Sequence, residues 1–321
     1  MKVAFIFPGQ GSQYPGMGRD LAQNFASARE VFEEADSALG FAISQLCFDG
    51  PAEELQLTAN TQPAILTVSV AAARVLREKG ISADYVAGHS LGEYSALVAA
   101  GALSLSDAVR LVRKRGQYMQ EAVPVGQGAM AAILGMDSAA LNEVCREAAQ
   151  GDVVSPANLN SPGQVVIAGS AAAVTRAVEL AKGRGAKRAI MLNVSAPFHC
   201  ALMKPAQDRL EKDLDELTTQ KPVYPVVCNV AASLITDQLR AIETLVAQVT
   251  GSVKWDQSMR LLIENGVQTF VEIGPGKVLC GLMRQIDRSK TCFSVGDEAS
   301  LTKALEQMGI PSETPDHTAA S

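Results

Sequence analysis

A chain of 321 residues, 47% hydrophobic and 19% charged, is long enough to bury a full core as one large unit with a smaller one attached, within the composition range of soluble globular proteins. Its formal net charge of −6 and the lack of any long basic segment argue against nucleic acid as the main partner, and no apolar stretch approaches membrane-spanning length. Helical patterns that alternate with short apolar runs make α/β the expected class.

Residues 3–7 read as a buried parallel strand, stopped by the glycine-rich turn Pro8-Gly9-Gln10-Gly11-Ser12-Gln13. That turn fits neither a phosphate loop nor the G-x-G-x-x-G spacing, and reads instead as a loop presenting backbone N–H groups. Helical periodicity follows over 26–38 and 62–79, then a short apolar strand at 85–87, the turn Gly88-His89-Ser90-Leu91-Gly92, and helices at 91–100 and 107–122. From 128 to 194 the order changes to strand 129–134, helix 138–149, strands 153–159 and 164–168 around Asn160-Ser161-Pro162-Gly163, helix 172–182 and strand 188–194. This βαββαβ order is the ferredoxin-like signature, inserted into the α/β chain. The α/β order then resumes: helix 200–217, strand 226–229, helices 239–249 and 256–264, strand 269–273, helix 278–286 and strand 292–295. The expected division is a core of 1–125 and 196–308, an inserted subdomain of 126–195, and a flexible tail of 309–321 rich in Pro, Ser, Thr and Ala.

Cys47, Cys145, Cys200, Cys228, Cys280 and Cys292 stand singly, with no Cys-x-x-Cys and no histidine at ligand spacing. They read as small buried apolar residues of a reducing compartment. The apolar run at 3–7 is too short for the hydrophobic region of a signal peptide, so a cytoplasmic enzyme is the expectation.

The stretch around Ser90 has the layout of a nucleophile elbow. A serine on a sharp strand-to-helix turn holds its hydroxyl out of the backbone, flanking glycines remove Cβ atoms that would clash, and the helix N-terminus offers N–H groups where an oxyanion would form. A Gly-Ser turn that only caps a helix would leave the same five letters. A serine nucleophile needs a base. His317 falls in the tail, and His89 adjoins Ser90 on a turn where neighbouring side chains diverge, which leaves His199, on the loop after the strand ending at 194. The competing reading of His199 is a helix-start histidine satisfied by backbone groups. Between Ser90 and His199 the acids Glu93, Asp107, Glu121, Asp137, Glu143, Glu147, Asp152 and Glu179 read mostly as polar-face or cap residues. A Ser-His dyad whose imidazole is held by a neutral acceptor is therefore expected.

Arg115 lies near the middle of the apolar face that Ala108, Leu111, Val112, Met119 and Ala122 form on helix 107–122, while Arg110, Arg113 and Lys114 point to water. A guanidinium on that side needs an anionic partner, either a structural Asp or Glu or the carboxylate of a substrate gripped at two points.

With these residues in place, the chain resembles the malonyl-CoA:acyl carrier protein transacylases and the acyltransferase domains of fatty acid and polyketide synthases. The landmarks are the turn from Phe7 to Gln13, Gly88-His89-Ser90-Leu91-Gly92-Glu93, Arg115-Gly116 with Met119-Gln120, Gly128-Ala129-Met130, Pro197-Phe198-His199, and Val271-Glu272-Ile273-Gly274-Pro275-Gly276. The resemblance implies an α/β-hydrolase-like core with a ferredoxin-like insertion. It implies that Ser90 is acylated, that His199 acts as base and then acid, and that Arg115 holds the malonyl carboxylate. The backbone N–H groups of Gln10 and Leu91 would form the oxyanion hole, and the Gln248 carbonyl would orient the histidine. Phe198 stands where free-standing bacterial members often carry serine, and its ring should favour malonyl over methylmalonyl.

The substrates implied are malonyl-CoA and phosphopantetheinylated acyl carrier protein, with no cofactor, no metal, no membrane, and a monomer as the working form. Lys182, Arg184, Lys187 and Arg188 cluster before the insertion's last strand, and Lys187 and Arg188 are the expected docking residues for the acidic carrier, with an ordinary solvated turn as the alternative. A polyketide pathway and a serine thioesterase or esterase stand as the alternatives to fatty acid synthesis.

Overall fold

The structure, a computed structural model, describes residues 2–194 and 196–309. The chain runs through β1 (Lys2–Phe7), α1 (Arg19–Asn24), α2 (Ala26–Leu39), α3 (Ile43–Asp49), α4 (Ala52–Leu55), α5 (Thr58–Glu78), β2 (Tyr85–Gly88), α6 (Leu91–Ala99) and α7 (Leu105–Glu121). It continues as β3 (Gly128–Leu134), α8 (Ser138–Ala149), β4 (Val154–Ser161), β5 (Gln164–Ser170), α9 (Ala171–Gly183) and β6 (Arg188–Met191). Then come a short 3₁₀ turn (Ala201–Met203), α10 (Lys204–Asp215), β7 (Val226–Cys228), β8 (Ser233–Ile235), α11 (Gln238–Gln248), α12 (Trp255–Glu264), β9 (Val267–Ile273), α13 (Val278–Ile286), β10 (Thr291–Val295) and α14 (Glu298–Gln307). Among the described residues no helix is long and apolar enough to cross a membrane.

After Lys2, every residue of β1 is buried, as a strand covered on both faces requires. It lies inside a six-stranded sheet of order β10-β9-β1-β2-β7-β8, parallel throughout except for β8, which runs back against β7. Alternate side chains serve two layers. Val3, Phe5 and Phe7 pack with the cluster that includes α2, α5 and α7, whereas Ala4 and Ile6 pack with Trp255, Met259, Phe270 and Leu279.

Residues 128–191 form a second, antiparallel sheet of order β4-β5-β3-β6. Ile133 and Ile167 face α8 and α9, while Met130, Ala157, Val166 and Ala168 face Cys200 and the large unit. The two units are joined by backbone bonds from Leu159 N–H to the Val253 carbonyl (2.9 Å) and from Val253 N–H to the Ala157 carbonyl (2.8 Å).

The structure corrects the sequence reading at several points. β6 ends at Met191 rather than 194, while its place as the last strand of the antiparallel sheet, with His199 following from the inserted unit, is as expected. The short helices α1, α3 and α4 and the hairpin strand β8 are too brief for a clear apolar period and were not expected, nor was the terminal α14, whose Leu301, Ala304 and Leu305 do carry one. Cys280 and Cys292 are not free thiols: the crossover from α13 to β10 brings their Cα atoms to 5.4 Å and joins them in a disulfide, leaving Cys47, Cys145, Cys200 and Cys228 free and buried. A sequence separation of 12 gave no spacing signal for that pair. The expected tail 309–321 lies outside the described residues beyond Gly309, and so does His317.

Helix α7 is set by its approach to α5. A Cβ on Gly116 would lie 2.7 Å from the Thr58 carbonyl oxygen and 2.8 Å from the Ala59 Cα, so only glycine permits the approach that fixes Arg115 beside it. Gly116→Ala should therefore cost about 1–3 kcal/mol by overpacking. Gly281→Ala, in α13 with nothing within 4 Å of the added carbon, should instead stabilise by about 0.5–1 kcal/mol. Urea unfolding midpoints of the two variants check the contrast.

Candidate active site

Ser90 stands between the end of β2 and the first turn of α6 with φ 51° and ψ −106°, a conformation that an L side chain adopts only under local constraint. The flanking glycines are required by contact. A Cβ on Gly88 would sit 1.9 Å from the Gly92 carbonyl, and one on Gly92 would sit 2.1 Å from the Phe7 carbonyl oxygen. Asn229, just past β7, staples the bend: its Oδ1 accepts from Ser90 N–H (2.7 Å) and its Nδ2 donates to the Gly88 carbonyl (2.7 Å).

His199 also has positive φ, at 59°, and is 3% exposed. Its Nε2 lies 2.7 Å from Ser90 Oγ and its Nδ1 lies 2.9 Å from the Gln248 carbonyl oxygen. Since a carbonyl only accepts, Nδ1 carries the proton and Nε2 is left to accept from the serine hydroxyl. Burial, and then the positive charge of Arg115, press the imidazole pKa down from 6.5 to about 3. It is therefore neutral and unoccupied by a proton at the position where a base is needed. His89 faces elsewhere: its Nε2 lies 2.8 Å from Asn160 Oδ1 and its ring tilts against Trp255.

Arg115, 1% exposed, donates from Nη1 to Gln62 Oε1 (2.8 Å) and from Nη2 to Gln248 Oε1 (2.8 Å) and Ser90 Oγ (3.2 Å), with its guanidinium over the Tyr94 ring. Burial lowers its pKa, yet a guanidinium keeps its proton in any protein. None of the ion pairs among the described residues includes it. Of the two partners that the sequence left open, a structural carboxylate is not in contact.

Ser90, His199 and Arg115 line one cavity of about 260 Å³ together with Gln10, Leu91 and Phe198. Met130, Val166 and Leu192 bring the inserted sheet's open face into its wall. The backbone N–H groups of Gln10 and Leu91 donate to no group among the described residues. Lys187 and Arg188 are exposed and absent from the lining, with Arg188 opposite Leu134 at the end of β6 remote from Met191, about 10 Å along the strand. Lys182 and Arg184 are paired with Glu179 and Glu147.

Glu93 requires a correction. The sequence placed it among surface and cap acids, but it is fully buried on α6, where Oε2 accepts from Gln248 Nε2 (2.8 Å) and Asn229 N–H (3.0 Å). Sequence reasoning also missed Gln62 and Asn229. Gln62 closes the polar opening Thr58-Ala59-Asn60-Thr61 of α5 and so gave no signal of its own, and Asn229 was visible only as the residue directly after a strand's C-terminal end, a letter that specifies no partner. Glu272, in the Val271-Glu272-Ile273 landmark, accepts from Leu279 N–H (3.0 Å) and Cys280 N–H (2.8 Å) and so caps α13, whose side chains close one side of the cavity.

The acyl transferase domain family matches residues 4–308 of the chain. The malonyl CoA-acyl carrier protein transacylases of Bacillus subtilis and Escherichia coli are each 51% identical to it, over 308 and 306 residues, covering 96% and 95% of this chain and 97% and 99% of theirs. The crystal structure of an acyl carrier protein S-malonyltransferase from Vibrio cholerae superposes with a TM-score of 0.93 at 48% identity, covering 95% of this chain and 100% of that one. A malonyl-transacylase solved in complex with its type II polyketide acyl carrier protein gives the same TM-score and identity, covering 96% and 100%.

Because the folded pKa of His199 lies below its ordinary value, its contribution to stability is fully present above pH 6.5 and is lost as the pH falls toward 3. The stability difference between wild type and His199→Gln, measured by chemical unfolding between about pH 7 and about pH 4, should shift in favour of the variant as acid is added. A difference that stays constant would show that this histidine titrates like an exposed one.

Proposed function

The chain belongs to the acyl transferase family, and from that premise we propose that it moves a malonyl group from malonyl-CoA to the phosphopantetheine thiol of an acyl carrier protein through an ester on Ser90, supplying fatty acid synthesis. The observation that carries this reading is the buried Arg115, with no carboxylate in contact and its Nη2 3.2 Å from the nucleophile's oxygen. A cation so placed matches an acyl group that brings its own anion.

In the first half-reaction neutral His199 takes the Ser90 proton at Nε2 while Oγ attacks the thioester carbonyl carbon. The developing oxyanion meets the Gln10 and Leu91 N–H groups. The C–S bond then breaks, and His199 returns the proton to the departing coenzyme A thiolate. In the second half the carrier's thiol gives its proton to His199 and attacks the serine ester, and Oγ recovers the proton on leaving. The Gln248 carbonyl keeps Nδ1 protonated throughout, in the role that an aspartate fills in a triad. The thioester is already activated, so the steps call for neither metal nor redox cofactor.

The Phe198 ring on the cavity wall supports malonyl over methylmalonyl by crowding an α-methyl group. Acyl carrier protein as partner is supported by the solved complex, whose polyketide carrier also keeps a polyketide pathway as the second reading. The bland partnership of Lys182 and Arg184 with acids leaves Lys187 and Arg188 as the free charges of the proposed docking turn. The strand order β4-β5-β3-β6 with two helices on one face supports a ferredoxin-like insertion, and the parallel sheet with its elbow supports a hydrolase-like core, divided as 1–125 with 196–308 and 126–195. A monomer acting in the cytoplasm completes the proposal.

Ser90→Ala should abolish the acyl adduct seen by intact mass spectrometry after brief exposure to malonyl-CoA, and a persisting adduct would refute the nucleophile. Arg115→Ala should lower kcat/KM for malonyl-CoA by the loss of a charge-assisted bidentate contact, on the order of 2–5 kcal/mol, while acetyl-CoA, which has no distal carboxylate, is nearly unaffected. Equal declines for the two thioesters, with a lower melting temperature, would show a purely structural arginine.

A further inference from the structure

Gln248 uses every part of itself. Its backbone carbonyl holds His199, its side-chain Oε1 accepts from Arg115, and its Nε2 donates both to the Ser90 carbonyl (3.0 Å) and to Glu93 Oε2 (2.8 Å). A side-chain amide has one accepting and one donating end, so its orientation matters. Rotated by half a turn, it would set NH₂ against the guanidinium and its oxygen against the Ser90 carbonyl and Glu93, donor on donor and acceptor on acceptor.

We propose that Glu93 is a positioning residue for the malonyl clamp, acting through the Gln248 amide to hold the Arg115 guanidinium beside Ser90. The chain of contacts is Arg115 Nη2 to Gln248 Oε1, Gln248 Nε2 to Glu93 Oε2, and Asn229 N–H to that same oxygen. The arrangement solves a conflict. A carboxylate bonded directly to Arg115 would steady it but would occupy the donors that the malonyl carboxylate must use. Interposing an amide steadies the guanidinium from one side and leaves it free of any bound anion. The cost is visible in Glu93 itself: it is fully buried, its Oε1 has no partner, and burial raises its pKa to about 7 against the opposing pull of Gln248, Asn229 and Arg115.

This inference rests on Arg115 as the malonyl clamp, and the experiment separates the two. The readout is the ratio of kcat/KM for malonyl-CoA to that for acetyl-CoA. Glu93→Met, of similar volume but without an acceptor, should lower both rates by loosening Asn229 at the elbow, and should lower the ratio by about tenfold beyond that, the scale of one hydrogen bond to a charged group. Glu93→Gln keeps a carbonyl oxygen for Gln248 and Asn229 and should hold the ratio within about threefold of wild type. In an Arg115→Ala background, Glu93→Met should leave the ratio where Arg115→Ala alone sets it, because the positioned group is gone.

Gln248→Met removes the Oε1 contact to Arg115 and the Nε2 bonds to the Ser90 carbonyl and Glu93 but leaves the Asn229–Glu93 bond and the backbone carbonyl to His199 in place, so it should lower the ratio at least as far as Glu93→Met. Equal declines for the two thioesters in Glu93→Met, an unchanged ratio in Gln248→Met, or a Glu93→Gln ratio as low as that of Glu93→Met would each overturn the proposal. If Arg115→Ala left the ratio untouched, the clamp itself would fail instead.

Discussion

The backbone of α6 passes so close to the end of β1 that no side-chain carbon fits between Gly92 and the Phe7 carbonyl, and this approach dictates where every reacting group can stand. It forces the bend that gives Ser90 its positive φ and directs Oγ into the cavity. Leu91, the first residue of α6, lines the same cavity as Gln10, on the turn that β1 feeds. The remaining groups then arrange themselves around a fixed oxygen. Asn229 ties the bend, His199 meets it from the inserted unit, and Arg115 reaches it from α7.

Around that oxygen the side chains that hold the reacting groups are mostly uncharged: Gln62, Asn229 and Gln248 supply or accept the hydrogen bonds that in many serine enzymes involve an acid. Neutral partners leave the Arg115 guanidinium without a bound anion. They fix geometry without placing a carboxylate against the guanidinium, and they add no negative charge that would stabilise the imidazole in its charged form. The one acid in the network, Glu93, touches the guanidinium only through an amide.

Much of this was legible in the letters because the constraints are local. The Gly-x-Ser-x-Gly spacing reports a steric requirement within five residues, and Arg115 on an apolar helix face reports a burial conflict within one helix. The inserted unit could be read because its elements alternate cleanly in period, and helix α8 falls where the pattern put it. What could not be read is whatever depends on distant chain segments meeting. Glu93 looks like any first-turn acid until Gln248, 155 positions later, closes over it. The Cys280–Cys292 bond depends on how α13 leans on β10, whereas the alternating elements of 128–191 had already shown the inserted unit as the origin of His199. Helices of four to seven residues carry too few turns for a periodic signal.

That last origin has a mechanical meaning. Ser90 is carried by the parallel sheet and His199 by a link that leaves the antiparallel sheet at Met191, while the Gln248 carbonyl that receives Nδ1 belongs again to the large unit. The imidazole is thus a crossbeam between two bodies that are also joined along the Ala157–Val253 seam. A slip of one body by the length of a hydrogen bond would leave each sheet whole and part Ser90 Oγ from His199 Nε2. Competence in this molecule is a property of alignment between its halves before it is a property of any residue in either.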